Sequence, residues 1–269
     1  MLKTVKIGRW FGIDTYIHWS FWLLMIFILL SESMAGGWRH GVAASAFLGF
    51  VFLCVYLHEI GHALAARGYG IRTHDITLLP FGGMARLESL PTQPHQELVV
   101  AIAGPIVNVV IAASLGTVLF LSDGLQQNLQ DNPMRLGWVQ QLFWVNITLA
   151  VFNLLPAFPM DGGRILRALL SYRVSHLRAT QIAARVGRYL ALIMIVLGLF
   201  YSFSLVLVGV FVFMAGMMEL IQAHGRFAWE SAVRQGYAYP LDKEEDGDII
   251  DGEVIRGEIV DADSSRRLN

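Results

Sequence analysis

From Val42 to Leu57 the chain runs sixteen residues without a charge, and the next five are His58-Glu59-Ile60-Gly61-His62. A run of this length predicts a helix in an apolar environment, and the five residues after it must fit at its end. On a helix, residues four apart share a face, so His58 and His62 present two imidazoles to one metal ion. Glu59 lies about 100° further round from His58, close enough to address a water held at that ion. Zinc lowers the pKa of such a water towards neutrality, and Glu59 is placed to accept its proton. Three ionisable side chains beside an uncharged run are costly to bury unless they bind metal or perform chemistry.

The same apolar character recurs along a chain that is 55% hydrophobic. It divides into about six expected transmembrane helices, near residues 16–31, 41–66, 96–121, 136–155, 181–200 and 203–222. Met1 to Thr15 reads as a short basic lead, and the run after it is too long for a cleaved signal. Between the second and third spans, Asp75 to Glu88 reads as two short strand-like pieces about Phe81-Gly82-Gly83. Asn153 to Gly163 cannot be regular helix, because Pro156 and Pro159 each remove a donor and restrict the preceding residue. Irregular backbone at membrane depth is tolerated only when buried in protein or facing a wet cavity.

Charge orients these spans. Lys3, Lys6, Arg9; Arg67, Arg72, Arg86; Arg164, Arg167, Arg173, Arg178; and Arg226, Arg234 fall in alternate connections, against Arg39 and Arg135 opposite. The positive-inside rule then puts both termini in the cytosol. It also ends the second span just after His62 and the fourth just before Asp161, at one cytosol-facing depth. Residues 1–235 are expected to form the membrane-embedded core, with a positive body suited to anionic lipid. Residues 241–269 carry a net charge of −6, and 236–269 are expected to be a disordered cytosolic tail. The single cysteine, Cys54, excludes an intrachain disulfide and reads as a small core residue rather than a fourth ligand.

A catalytic zinc takes three protein ligands and keeps one position open. Asp161 is the best third ligand: it is the only acid between Trp138 and Leu170, and Gly162 and Gly163 beside it permit close backbone approach. The alternative is that His58 and His62 are core histidines and Asp161 a helix N-cap. His18 reads as an interfacial or packing group, and His74, His95, His176 and His224 as solvent-facing.

The combination of His58-Glu59-Ile60-Gly61-His62 with Asn153-Leu154-Leu155-Pro156 and Met160-Asp161-Gly162-Gly163 resembles the site-2 protease family of intramembrane zinc metalloproteases. The resemblance covers about Tyr16 to Gln222. It implies an all-α polytopic membrane protein with a membrane-associated β segment between the second and third spans. It implies one Zn2+ per chain on His58, His62 and Asp161, with Glu59 as catalytic acid and base. Asn153 falls on a family asparagine implicated in handling substrate or the developing oxyanion; a hydrogen bond across helices is the alternative. Gly104-Pro105-Ile106-Val107-Asn108 matches a further family motif, in which Gly104 and Asn108 serve helix packing and support of the ligands. The β segment implies a strand edge for an unwound substrate, with Phe81, Gly82 and Gly83 as its adjustable part. Neither a PDZ insertion nor paired CBS modules fits, so the chain resembles a compact form of the family.

The expected function is hydrolysis of peptide bonds within or near transmembrane segments of membrane-anchored regulatory proteins. The expected partners are a single-pass transmembrane substrate and membrane lipid, and not nucleic acid; homo-oligomerisation is left open. Two other classes compete. A zinc transporter would show further acids or histidines stepping across the bilayer, and the outer halves of these spans show none. A non-catalytic client-binding protein would have no use for an intact Glu59.

Overall fold

The computed structural model describes residues 4–89, 91, 93–121 and 137–235. The connection expected at 122–135 and the acidic segment 236–269 lie outside the described residues. The chain divides into two compact units, Met1–Ala228 and Trp229–Asn269. The first holds the sheet and the helices as far as Ala228.

The segment read as a basic lead is instead a β-hairpin. Strand β1 (Thr4–Trp10) pairs antiparallel with β2 (Ile13–His18) through the two-residue turn Phe11-Gly12. Both turn residues have positive φ, 53° and 78°, as a tight hairpin of right-handed twist requires. His18 caps the first helix, α1 (Trp19–Gly36), by accepting from the Ser20 amide, so the span begins three residues later than its apolar run. Only Gly37 separates α1 from α2 (Trp38–Gly68), which carries the HEIGH motif within 31 helical residues.

Strands β3 (Thr73–Leu79) and β4 (Gly82–Leu87) form the expected second hairpin. The two hairpins join into one sheet of order β1-β2-β3-β4, with β2 parallel to β3 and Asp14 opposite Asp75. Parallel neighbours need a long crossover, and here the α1–α2 pair provides it. Ile13, Thr15 and Ile17 alternate inward along β2. With Ile76 and Leu78 of β3 they close over Phe52, Tyr56, Ile60 and Ala63 of α2. The sheet therefore packs on the part of α2 that carries the two histidines.

Then come α3 (Pro94–Leu121), α4 (Trp138–Asn153), α5 (Asp161–Ser171), α6 (His176–Tyr201) and α7 (Phe203–Arg234). Among the described residues five helices, α1, α2, α3, α6 and α7, are long and apolar enough to cross a membrane, so the chain is a multi-pass membrane protein. The expected fourth span is α4, whose 16 residues reach only about 24 Å. It ends at Asn153 because Pro156 cannot continue it. Residues 154–160 are irregular, as the two prolines require. Asp161 is the first residue of α5, and Met160 occupies the N-cap, so Asp161 is not the cap. Arg167, grouped with the basic loop residues, is buried inside the molecule at 4% exposure.

Ile13 is wholly buried between sheet and helix. Truncation there removes packing and leaves a cavity, so Ile13→Ala is expected to cost about 3 kcal/mol. Met84, half exposed on the edge strand, is expected to cost under about 0.5 kcal/mol as Met84→Ala. Denaturant-titrated unfolding in detergent measures both.

Candidate metal centre

The site is assembled from two elements distant in sequence. His58 and His62 stand one turn apart on α2, with their Nε2 atoms 3.1 Å from each other. Asp161, at the start of α5, brings its Oδ2 to 3.2 Å from each Nε2. The three atoms form a nearly equilateral triangle, and all three residues are buried. A tetrahedral ion with bonds of about 2.0–2.1 Å spaces its ligands about 3.3–3.4 Å apart, so this triangle fits one face of such a site. Among the described residues it is the one group of three His, Cys, Asp or Glu able to hold a metal.

The hydrogen bonds behind the histidines decide where their protons lie. Asn146 on α4 donates from Nδ2 to the Leu142 carbonyl, 2.8 Å away, and a carbonyl can only accept. Its Oδ1 therefore accepts from Asn108 Nδ2 on α3, at 2.9 Å. That leaves Asn108 Oδ1 as the acceptor for His58 Nδ1, at 2.5 Å. His62 Nδ1 is 2.7 Å from the Val100 carbonyl, again an acceptor only. In its neutral form each imidazole thus carries its proton on Nδ1 and turns an Nε2 lone pair towards the other ring and towards Asp161. Asp161 Oδ2 is buried without a hydrogen-bond donor. In that form three lone pairs converge, and a metal cation between them offsets their repulsion.

Small residues allow this approach. A Cβ at Gly104 would strike His62 Nε2 and lie 2.7 Å from His58 Nε2, so only glycine lets α3 pass the site. Gly61, inside the motif, admits the same helix from the other side, because a Cβ there would meet the Ala103 carbonyl at 2.9 Å.

Glu59 is half-buried, and its side chain makes no hydrogen bond among the described residues. Strand β4 lies against it: a Cβ at Gly83 would come within 2.5 Å of Glu59 Cγ and 3.2 Å of its Oε1. Phe81, at the tip of that hairpin, is 78% exposed. Asn153 closes α4, half-buried, and no hydrogen bond joins it to the trio among the described residues. The hydrogen bond across helices considered for Asn153 belongs instead to Asn146, which the sequence pattern did not single out. An asparagine in the middle of an apolar span was the available signal. Cys54 is buried in the core and accepts from Asn146 Nδ2 at 3.3 Å, outside the ligand trio.

The family model for peptidase family M50 matches residues 46–135 and 130–195, which include the histidines, the glutamate and the aspartate. The chain belongs to this family. Among relatives of this M50 chain, a zinc metalloprotease of Methanocaldococcus jannaschii is 36% identical over 81% of it and 61% of the relative. A putative zinc metalloprotease of Synechocystis is 31% identical over 87% of the chain and 62% of the relative. The chain therefore spans about three fifths of the length of these curated relatives. The solved site-2 protease from Methanocaldococcus jannaschii superimposes with a TM-score of 0.57 at 35% identity, covering 81% of this chain and 95% of that one.

In this M50 chain the Asn108 amide is what orients His58. Asn108→Leu keeps the bulk but leaves Nδ1 unpaired, and is expected to weaken zinc binding about 10- to 100-fold. Gly104→Ala places a methyl among the ligand nitrogens and is expected to leave the purified protein without metal. Competition against a chromogenic chelator, with metal analysis of the purified protein, measures both.

Proposed function

We propose that the protein is an intramembrane zinc metalloendopeptidase that cuts within or near transmembrane segments of single-pass, membrane-anchored regulatory proteins. In this reading residues 1–235 are the protease core, both termini face the cytosol as the basic residues direct, and surrounding lipid is its solvent. His58, His62 and Asp161 hold one zinc ion, which when bound supplies a water of near-neutral pKa and a Lewis acid for the scissile carbonyl. Glu59 takes the proton of the attacking water and returns it to the leaving amine, which lets one carboxylate serve both halves of the hydrolysis. Asn153 donates to the carbonyl oxygen as it becomes an oxyanion.

A peptide bond inside a helix is shielded by its own hydrogen bonds, so a substrate must be unwound before it is cut. The outer edge of β4, lying against Glu59, offers backbone groups on which an unwound segment pairs as a further strand. Phe81 at the tip and the small residues Gly82 and Gly83 admit that segment.

The observation that carries this reading is the triangle of His58 Nε2, His62 Nε2 and Asp161 Oδ2, with Glu59 on the same helix turn facing an edge strand. A zinc transporter would need a succession of such sites across the bilayer, and the described residues hold a single one.

Glu59→Gln separates chemistry from binding, because it removes the base and keeps the shape. Purified protein incubated with a detergent-solubilised single-pass substrate is expected to lose cleavage by about 100-fold or more on this substitution. Zinc content should stay at one per chain. Zinc flux into vesicles that survives Glu59→Gln, with no cleavage by either form, would assign the site to transport.

A further inference from the structure

Arg167 is 4% exposed and lies six residues beyond Asp161 on the same short helix. Its Nε and Nη2 reach Glu97 Oε1 on α3, at 2.7 and 2.5 Å. Its Nη1 donates to Glu219 Oε1 on α7, at 2.6 Å. Its guanidinium also stacks 5.0 Å from the ring of Phe158, which is itself buried in the irregular segment before Asp161. One side chain therefore joins α3, α5, α7 and the loop that delivers Asp161.

Three features give this junction a purpose beyond charge neutralisation. First, α5 has 11 residues, too few for a helix to hold itself, and an irregular segment precedes it. Its position must come from tertiary contacts. Second, the packing beside Arg167 is interrupted. A cavity of about 170 Å³ lies there, lined by Glu97, Val100, Arg164, Arg167 and Glu219 among others. The ion cluster of Arg167, Glu97 and Glu219 borders that cavity and links the helices beside it. Third, Glu97 is one turn from Val100, whose carbonyl holds His62 Nδ1. The guanidinium thus grips the two pieces of backbone that aim His62 and Asp161.

Burying one cation with two carboxylates is expensive, and well-packed apolar residues would hold helices together at least as well. What they would not supply is fixed direction: a planar guanidinium with carboxylates on two edges and a ring on its face allows little sliding.

We propose that Arg167 is a positioning residue of the metal centre, clamping Asp161 to His62 through Glu97, Glu219 and Phe158. The proposal rests on the assignment of His58, His62 and Asp161 as metal ligands. It concerns how they are held, not what they do.

The test uses the full chain in detergent, loaded with zinc or cobalt. Arg167→Lys keeps the charge but loses the fork and the stacking. Glu97→Gln keeps the size and weakens the grip. Both are expected to release zinc to a chelator about tenfold faster and to alter the visible spectrum of the cobalt form, which reports ligand geometry. Leu119→Ala, a buried truncation on α3 eleven residues beyond Asn108, is the control and should leave that spectrum unchanged. If Arg167→Lys does not fold, Glu219→Gln at the partly exposed rim decides, with a change of about threefold expected. Wild-type zinc release and cobalt spectrum in the folded Arg167 or Glu219 variant would overturn the clamp. Asp161→Asn separates the two layers. Loss of the cobalt spectrum in Asp161→Asn, with Arg167 variants unaffected, defeats the clamp alone; a wild-type spectrum in Asp161→Asn defeats the ligand assignment beneath it.

Discussion

The hydrogen bond from His58 Nδ1 to Asn108 Oδ1 orders the whole centre. It locks the imidazole tautomer, and the lock is transmitted from a backbone carbonyl on α4 through two amide side chains whose polarity cannot be reversed. The Val100 carbonyl does the same for His62. With Nδ1 committed outward, each ring in its neutral form turns a lone pair inward, and the carboxylate of Asp161 adds another. An apolar interior would reject such a cluster without a cation, so the fold around it is organised to receive charge.

The rest of the architecture serves that arrangement. The α1–α2 pair is at once a membrane hairpin and the crossover that makes β2 and β3 parallel. The resulting sheet packs its apolar face on α2 around Ile60, between the two histidines. That contact brings the edge strand β4 to Glu59 while the other face of the motif turns to α3. Glycine is required on both sides, at Gly83 against the glutamate and at Gly104 against the histidines, because backbone must approach catalytic-type side chains closely.

Some of this could be read in the chain directly. His58 and His62 are four residues apart on one helix, so helical periodicity alone brings them together. The break before Asp161 comes from two prolines, and the significance of a lone acid in an apolar region comes from the cost of burying charge. The amino-terminal hairpin was hidden because its six-residue second strand merges with an apolar run, and its parallel partner lies some 61 residues later across two helices. Arg167 was misread because the positive-inside rule counts arginines without knowing which ones find buried carboxylates. Glu97 and Glu219, 70 residues before it and 52 after, carry no local sign of meeting it.

By itself, then, the sequence determined five of the six expected membrane spans, the two-histidine helix face and the isolated aspartate, since each depends on periodicity or on desolvation within a short stretch. Only the tertiary structure decided which ring nitrogens face inward, which asparagine supports them, and which strand lies against Glu59. Those outcomes depend on contacts between segments tens of residues apart, where a difference of one helical turn changes every hydrogen-bond partner and leaves the pattern of apolar residues the same.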